Sequence, residues 1–403
     1  MRVSSSALEA WCRRDPEPFL WAESVRLLSD GSETYPAMLR AIAEAKESIA
    51  FENYIFATDR TGRMFREALV KAARRGVSVR FLYDAVGSWS IDREFRRPML
   101  EAGIAVAVFH PLQLTRPLWL LNRRDHRKIL IVDRRLSFTG GVNVSDDNLP
   151  DAPHGGWRDT HVEVAGTAAA ARLATLFESG WRRAHRFPAD GGRPRRLLAT
   201  RLPARHERRR ASHATPQPPA QRVLVRVLGN ATVRTRFRIR RAYLEAIGRA
   251  ERYVLIENAY FIPSHVLLRA LAKSVRRGVD VRVLLARTSD VPAAAWASRH
   301  LYQRLLDDGV RLSEWPGGMM HSKTAAIDDV WSIVGSYNLD QRSLWHNLEA
   351  VVEIVDPEFA AALSRRMIHG LAGSEPVDPT VHSRRGLRAR VQERLGYAIR
   401  YWL

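Results

Sequence analysis

Two short stretches of the chain repeat one chemical pattern at identical spacing. The first is His126-x-Lys128, four residues, Asp133, six residues, then Gly140-Gly141-Val142-Asn143. The second is His321-x-Lys323, four residues, Asp328, six residues, then Gly335-Ser336-Tyr337-Asn338. Histidine exchanges protons near neutral pH and can attack phosphorus to form a covalent intermediate. Lysine supplies a fixed positive charge for a phosphate oxygen. Residues i and i+2 of an extended strand share a face, so each His-x-Lys pair can aim at one ligand. Glycine after the following strand lets the backbone come close. Asn143, Asn338 and Ser336 are candidate neutral phosphate ligands. One imidazole attacking while the other protonates the leaving oxygen would split a hard displacement into two easier steps. Two lysines can neutralise a phosphodiester without a metal. The sequence has no acidic cluster of the two-metal type, so no metal or other cofactor is expected. Asp133 and Asp328 lie at the far end of the strand after each motif. They are expected to be structural, each pairing with a helix end or a basic residue.

The motifs sit inside a larger repeat. Phe51-Glu52-Asn53-Tyr54-Ile55-Phe56 corresponds to Ile256-Glu257-Asn258-Ala259-Tyr260-Phe261, and Arg74-Arg75-Gly76-Val77 to Arg276-Arg277-Gly278-Val279. Each copy reads as helices alternating with strands. Met64 to Ala73 has helical periodicity and stops at Gly76; Val77 to Tyr83 reads as a strand. Such alternation implies an α/β fold of two similar lobes about a pseudo-twofold axis, each a mixed β-sheet flanked by helices. The expected organisation is an N-terminal segment 1–21, a first lobe 22–185, a basic Pro/Arg-rich linker 186–222, a second lobe 223–371 and a tail 372–403.

Composition narrows the partners. The 403 residues carry 64 Lys plus Arg against 43 Asp plus Glu, a formal charge of +21, which attracts polyanions or an anionic membrane surface. Cys12 is the one cysteine, which excludes an internal disulfide framework. No apolar run approaches the ~18–20 residues of a membrane span, and Met1 to Asp15 lacks the apolar centre of a signal peptide. A cytoplasmic protein that meets any membrane from its surface is expected.

At the duplicated motif the chain resembles the phospholipase D superfamily, from about Ala22 to Leu371. The stretches Gly335-Ser336-x-Asn338-Leu339-Asp340-x-Arg342-Ser343 and Asn347-x-Glu349 are similar to cardiolipin synthases, and the missing membrane spans resemble their B branch. The resemblance implies one site between the lobes, with His126, Lys128, His321 and Lys323 catalytic. It also implies a phosphohistidine intermediate, a partner histidine acting as acid then base, and no metal. The analogy favours His126 as nucleophile. By the same resemblance Asp159 and Glu349, downstream of the motifs, orient the imidazoles. His161 reads as a packed neighbour. The half-sites differ at Gly141 against Ser336.

The implied reaction is phosphatidyl transfer from one phospholipid, phosphatidylglycerol first among them, to the hydroxyl of another. Alternatives are phospholipase D hydrolysis or a nuclease of the same superfamily. Nucleic acid is disfavoured because aromatic residues are not interleaved with the basic runs. Two segments could meet a bilayer. Pro111 to Leu121 is apolar, holds Trp119 and has basic flanks. In the tail, Leu387, Val391, Leu395, Ala398 and Trp402 form one helical stripe with arginines largely off it. An anionic phospholipid membrane, met peripherally at the cytoplasmic face, is the expected partner. Gly396 is expected to weaken the tail helix by roughly 1 kcal/mol.

Overall fold

The computed structural model describes residues 17–111, 122–153, 155–186 and 222–403. Residues 112–121 of the apolar loop and 187–221 of the linker lie outside the described residues. The strands of the first half are β1 (Leu20–Ala22), β2 (Ser24–Ser29), β3 (Ser48–Asn53), β4 (Ser78–Asp84), β5 (Ala105–Phe109), β6 (Ile129–Val132), β7 (Leu136–Gly140) and β8 (Thr160–Ala165). Those of the second are β9 (Val223–Gly229), β10 (Tyr253–Asn258), β11 (Asp280–Ala286), β12 (Arg311–Trp315), β13 (Lys323–Ile327), β14 (Trp331–Gly335), β15 (Ala350–Val355) and β16 (Glu375–Pro376).

The repeat becomes two sheets of the same winding. One runs β2-β8-β7-β6-β3-β4-β5; the other contains β9-β15-β14-β13-β10-β11-β12 in the matching order. The second sheet gains β1 beside β9 and β16 beside β12. β1 thus precedes the first sheet in sequence yet pairs into the second, Trp21 opposite Leu224. In each sheet the helix-linked strands are parallel and the hairpin-linked strands antiparallel, as connection length requires. The expected pair of mixed α/β lobes is what the chain forms.

Local sequence explains the elements. Helix Arg60–Arg74 starts where the Asp59 carboxylate accepts from Gly62 N at 2.9 Å. It stops before Gly76, whose φ of +95° only glycine adopts freely. The inner faces of the two sheets share a core with two long helices. Leu173, Phe177 and Trp181 come from helix Thr167–Arg186; Phe359, Leu363 and Met367 come from helix Pro357–Ala372. Burying each such side chain contributes about 1.5–3 kcal/mol, so the lobes are held as one body.

Asp133 and Asp328 are structural, and their carboxylates are held by backbone amides, those of the basic residues Lys46 and Arg252 among them, with the Arg252 guanidinium also donating to the Asp328 carbonyl at 2.8 Å. Asp133 accepts from the backbone amides of Lys46, Glu47 and Ser48 at 2.7–2.9 Å. Asp328 accepts from Glu251, Arg252 and Tyr253 at 2.7–3.0 Å. Each sits in the hairpin turn after the motif strand at φ near +50°, together with Arg134 or Asp329. Asp tolerates that left-handed conformation. The motif acid therefore ties its hairpin to the turn that feeds β3 or β10.

Candidate active site

The site forms where the chain enters β6, β8, β13 and β15, and backbone bridges between the lobes assemble it. His126 N donates to Leu348 O at 3.0 Å, and Leu348 N to Arg124 O at 2.9 Å. In the other direction Arg158 N donates to Met319 O at 2.9 Å and His321 N to Arg158 O at 2.8 Å. Each motif histidine is thereby laid beside the residue that follows the bridge from the opposite lobe. For His126 that residue is Glu349; for His321 it is Asp159.

The carboxylates are exchanged accordingly. His126 Nδ1 lies 3.1 Å from Glu349 Oε2, and His321 Nδ1 lies 2.6 Å from Asp159 Oδ2. All four side chains are buried. His126 Nδ1 is also 3.1 Å from Ser336 O. Among the described residues neither Nε2 makes a hydrogen bond, so an Nδ1–H held by a carboxylate leaves Nε2 as the free lone pair. An aromatic ring walls each imidazole: Tyr54 at 4.8 Å from His126 and Trp157 at 4.8 Å from His321, centroid to centroid.

The lysines are buried as well. Lys128 Nζ donates to His126 O at 2.8 Å, and Lys323 Nζ donates to His321 O. Burial and the neighbouring Lys323 charge bring Lys128 down to about 7; burial brings Lys323 down to about 8, partly offset by Asp159 and Glu349. Two ammonium groups facing one space without an anion repel each other, and a phosphate placed between them would restore both charges. Arg127 alternates to the opposite face, where it meets Glu52 at 2.6 Å and Asp125 at 2.9 Å. In the second lobe Ser322 takes the place of Arg127, and Glu257 is met instead by Arg158 at 2.7 Å from across the interface.

The carboxylates are held differently. Glu349 accepts from the Ser336 hydroxyl at 2.5 Å, the Ser343 hydroxyl at 2.8 Å and Asn347 Nδ2 at 3.2 Å. Burial alone would raise its pKa, but His126 and the Ser336 hydroxyl outweigh that and hold it below the usual value. Asp159 accepts from Thr160 N at 2.7 Å; its own backbone N donates to Asp30 Oδ1 at 2.5 Å and its carbonyl accepts from Arg366 at 2.6 Å. Burial raises Asp159, with Lys323 and the Thr160 amide opposing, and burial with the two lysines lowers His321 well below 6.5. His126 is lowered by burial and Lys128, with Glu349 opposing.

Placement of the remaining expected residues is mixed. Asn143 Oδ1 accepts from Ile55 N at 3.3 Å while its Nδ2 is buried without a partner. Asn338 Oδ1 is likewise unpartnered. Ser336 is not a free phosphate ligand, because its hydroxyl is committed to Glu349; the reading from type and position overlooked that partner. Its counterpart Gly141 has the opposite reason to exist: a Cβ there would stand 2.0 Å from Asp159 Oδ1. His161 is packed under the site with neither ring nitrogen bonded, and burial lowers it to about 3. Tyr54 and Trp157 were given no role by the sequence reading, and Ser343 and Asn347 entered it only as part of the resembling stretches. Tyr54 lies within the repeat used to align the halves, which was a signal; Trp157 and Asn347 each stand two residues before the carboxylate, Asp159 or Glu349.

The sequence profile of the family described as "Cardiolipin synthase, PLD-like domain" matches residues 38–181 and 243–369. The chain belongs to this family. Cardiolipin synthase B of Shigella flexneri is 34% identical over 370 residues, 91% of this chain and 85% of that protein. The major cardiolipin synthase ClsA of Bacillus subtilis is 32% identical over 92% of this chain and 73% of its own length. The crystal structure of phosphatidylserine synthase from Haemophilus influenzae superposes with a TM-score of 0.73 at 14% identity, covering 99% of both chains, and shows the shared fold. As a member of the cardiolipin synthase family the chain is a phosphatidyltransferase enzyme.

Proposed function

We propose that this enzyme is a cardiolipin synthase that moves a phosphatidyl group between two phosphatidylglycerol molecules through a phosphohistidine. The observation that supports this most is the pair of imidazoles with Nδ1 held by a carboxylate and Nε2 free, flanked by two buried lysines. In the first step His126 Nε2 attacks phosphorus, the bond from phosphorus to the glycerol oxygen breaks, and His321, protonated at Nε2 once the substrate phosphate offsets the two lysine charges that otherwise keep it neutral, gives that oxygen its proton. In the second the hydroxyl oxygen of another phosphatidylglycerol attacks phosphorus, His321 takes the hydroxyl proton, and the N–P bond breaks. The ionised Glu349 favours His126 as nucleophile by drawing on its Nδ1–H. Lys128 and Lys323 neutralise the non-bridging oxygens, with Asn143 and Asn338 as further donors. Asp159 stabilises His321 when it carries the proton.

No helix among the described residues is long and apolar enough to cross a membrane. The enzyme is proposed to work peripherally, at the cytoplasmic face of the membrane, on anionic phospholipid. Purified protein with phosphatidylglycerol vesicles and chelator is expected to give cardiolipin plus free glycerol, and His126→Ala neither. Phosphatidic acid as the sole product would replace transfer by hydrolysis; cleavage of DNA with no lipid product would replace both.

A further inference from the structure

Helix Leu387–Ala398 packs on helix Pro292–His300 by Glu393, Gly396 and Tyr397, whose ring stacks on that of His300 at 4.5 Å. Gly396 is the closest point: a Cβ there would lie 2.8 Å from Ala293 O and 2.9 Å from Ala297 N. Glu393 is buried beside it and paired with Arg385 Nε at 2.8 Å. The apolar stripe faces outward. Leu387 is 78% exposed, Leu395 62% and Trp402 60%, with Val391 and Ile399 close to half exposed. A helix that buries its glutamate and shows solvent its leucines is reversed for a surface helix in water.

Charge identifies what would cover it. Glu393 is the one acidic residue between Arg384 and Leu403, and it is buried and paired, while Arg388, Arg390 and Arg394 are exposed. The outward side of the helix therefore presents apolar and cationic groups only, which suits an anionic lipid surface. The surface also continues to the site. The Tyr401 and Trp402 rings lie 4.9 and 6.3 Å from that of His346, three residues before Glu349. Phe237 packs on Trp345 at 5.5 Å, with Arg236 5.2 Å over the same ring. On the first lobe Trp89, 82% exposed, sits in the turn whose Ser88 hydroxyl donates to Tyr54 O, and Tyr54 covers His126.

We infer that the outward face of helix Leu387–Ala398, with the aromatic residues around the site, is the surface by which this enzyme sits on an anionic bilayer, turning its site toward the lipid. This rests on the phospholipid reading above and adds which face meets the membrane. The helical periodicity of the stripe does not decide it; the docked orientation does, because the same stripe turned inward would leave nothing to bind.

The experiment uses the full chain and flotation with vesicles of phosphatidylglycerol and phosphatidylcholine, against phosphatidylcholine alone. Binding is expected only with the anionic vesicles and to weaken with salt. The triple variant Leu387→Ser, Val391→Ser, Leu395→Ser is expected to lose about tenfold or more in vesicle affinity. It should keep its rate on short-chain phosphatidylglycerol below the micellar concentration, which shows that it is folded. Arg388→Gln with Arg394→Gln should flatten the salt dependence. Unchanged vesicle binding by both variants would overturn the inference. So would a dimer in sedimentation velocity that only the triple variant abolishes, since the stripe would then cover a second copy. Vesicle binding without lipid product would instead sink the reading of function and leave the surface standing.

Discussion

The two half-sites share a motif at identical spacing yet hold their carboxylates in opposite ways. Glu349 reaches His126 on a side chain one methylene longer and accepts from two serine hydroxyls and an amide, and His126 with the Ser336 hydroxyl holds it below its usual pKa. Asp159 reaches His321 by close backbone approach, which Gly141 permits, and burial pushes acid and imidazole toward their neutral forms. One half-site is thus polarised before substrate arrives and the other is not. Duplication supplied two alike sets of reactive groups; the neighbours of the carboxylates made them unequal, as a nucleophile and an acid need to be.

The comparison breaks most completely at the imidazoles. His126→Ala and His321→Ala should each lower kcat by about 10⁴-fold or more, and the double variant little further, because they act as a unit. Rapid acid quench separates them: His321→Ala can still form the adduct on His126 from an activated donor, while His126→Ala forms none. The carboxylates come next. Asp159→Asn and Glu349→Gln should each lose on the order of 10²–10⁴ in kcat with KM little changed, since each amide imposes the wrong tautomer. A change confined to KM would deny them the orienting role.

Smaller effects sharpen the contrast. Gly141→Ala must displace the Asp159 carboxylate and should lower kcat about tenfold or more. Ser336→Ala removes one of the three donors that Glu349 has besides His126 and should lower kcat only a few-fold. Introducing a serine at Gly141 to copy Ser336 should therefore inactivate rather than match the halves. In pH profiles, kcat/KM should fall on the alkaline side between about pH 7 and 8, where Lys323 and Lys128 lose the charge that receives phosphate. It should also fall below pH 6.5, where a motif imidazole with a lowered pKa begins to protonate.

Stability should move the other way. Lys128 titrates near 7 when folded and near 10.5 when unfolded, so its buried charge opposes folding fully below pH 7 and not at all above 10.5. Lys128→Met should abolish activity yet raise Tm by a few degrees at neutral pH. The gain should shrink as pH rises from 7 to 10.5.

Much of this was legible in the sequence for a physical reason. His126 and Lys128 share a few residues of extended chain, so spacing alone brings them together; the same holds for His321 and Lys323. Two mixed α/β lobes followed from a repeat that keeps its order. The carboxylate exchange was not legible, because it depends on the bridge between Asp125 and Leu348, two chain segments from different lobes. Ser336 looked like a ligand by type and position, and only its distance to Glu349 reveals its partner. Gly396 read as a weak point of its helix; it is also one of the points at which that helix lies against helix Pro292–His300. A periodic stripe shows that one face is apolar but not which way it turns.

The crossed pairing of histidine and carboxylate is tested most directly by proton NMR of the imidazole Nδ1–H signals in protein labelled with ¹⁵N-histidine. Two downfield Nδ1 protons are expected. Glu349→Gln should shift or remove the His126 signal and leave that of His321 in place, and Asp159→Asn should do the reverse. Loss of the His126 signal in Asp159→Asn, with Glu349→Gln silent, would contradict it, because each lobe would then orient its own histidine.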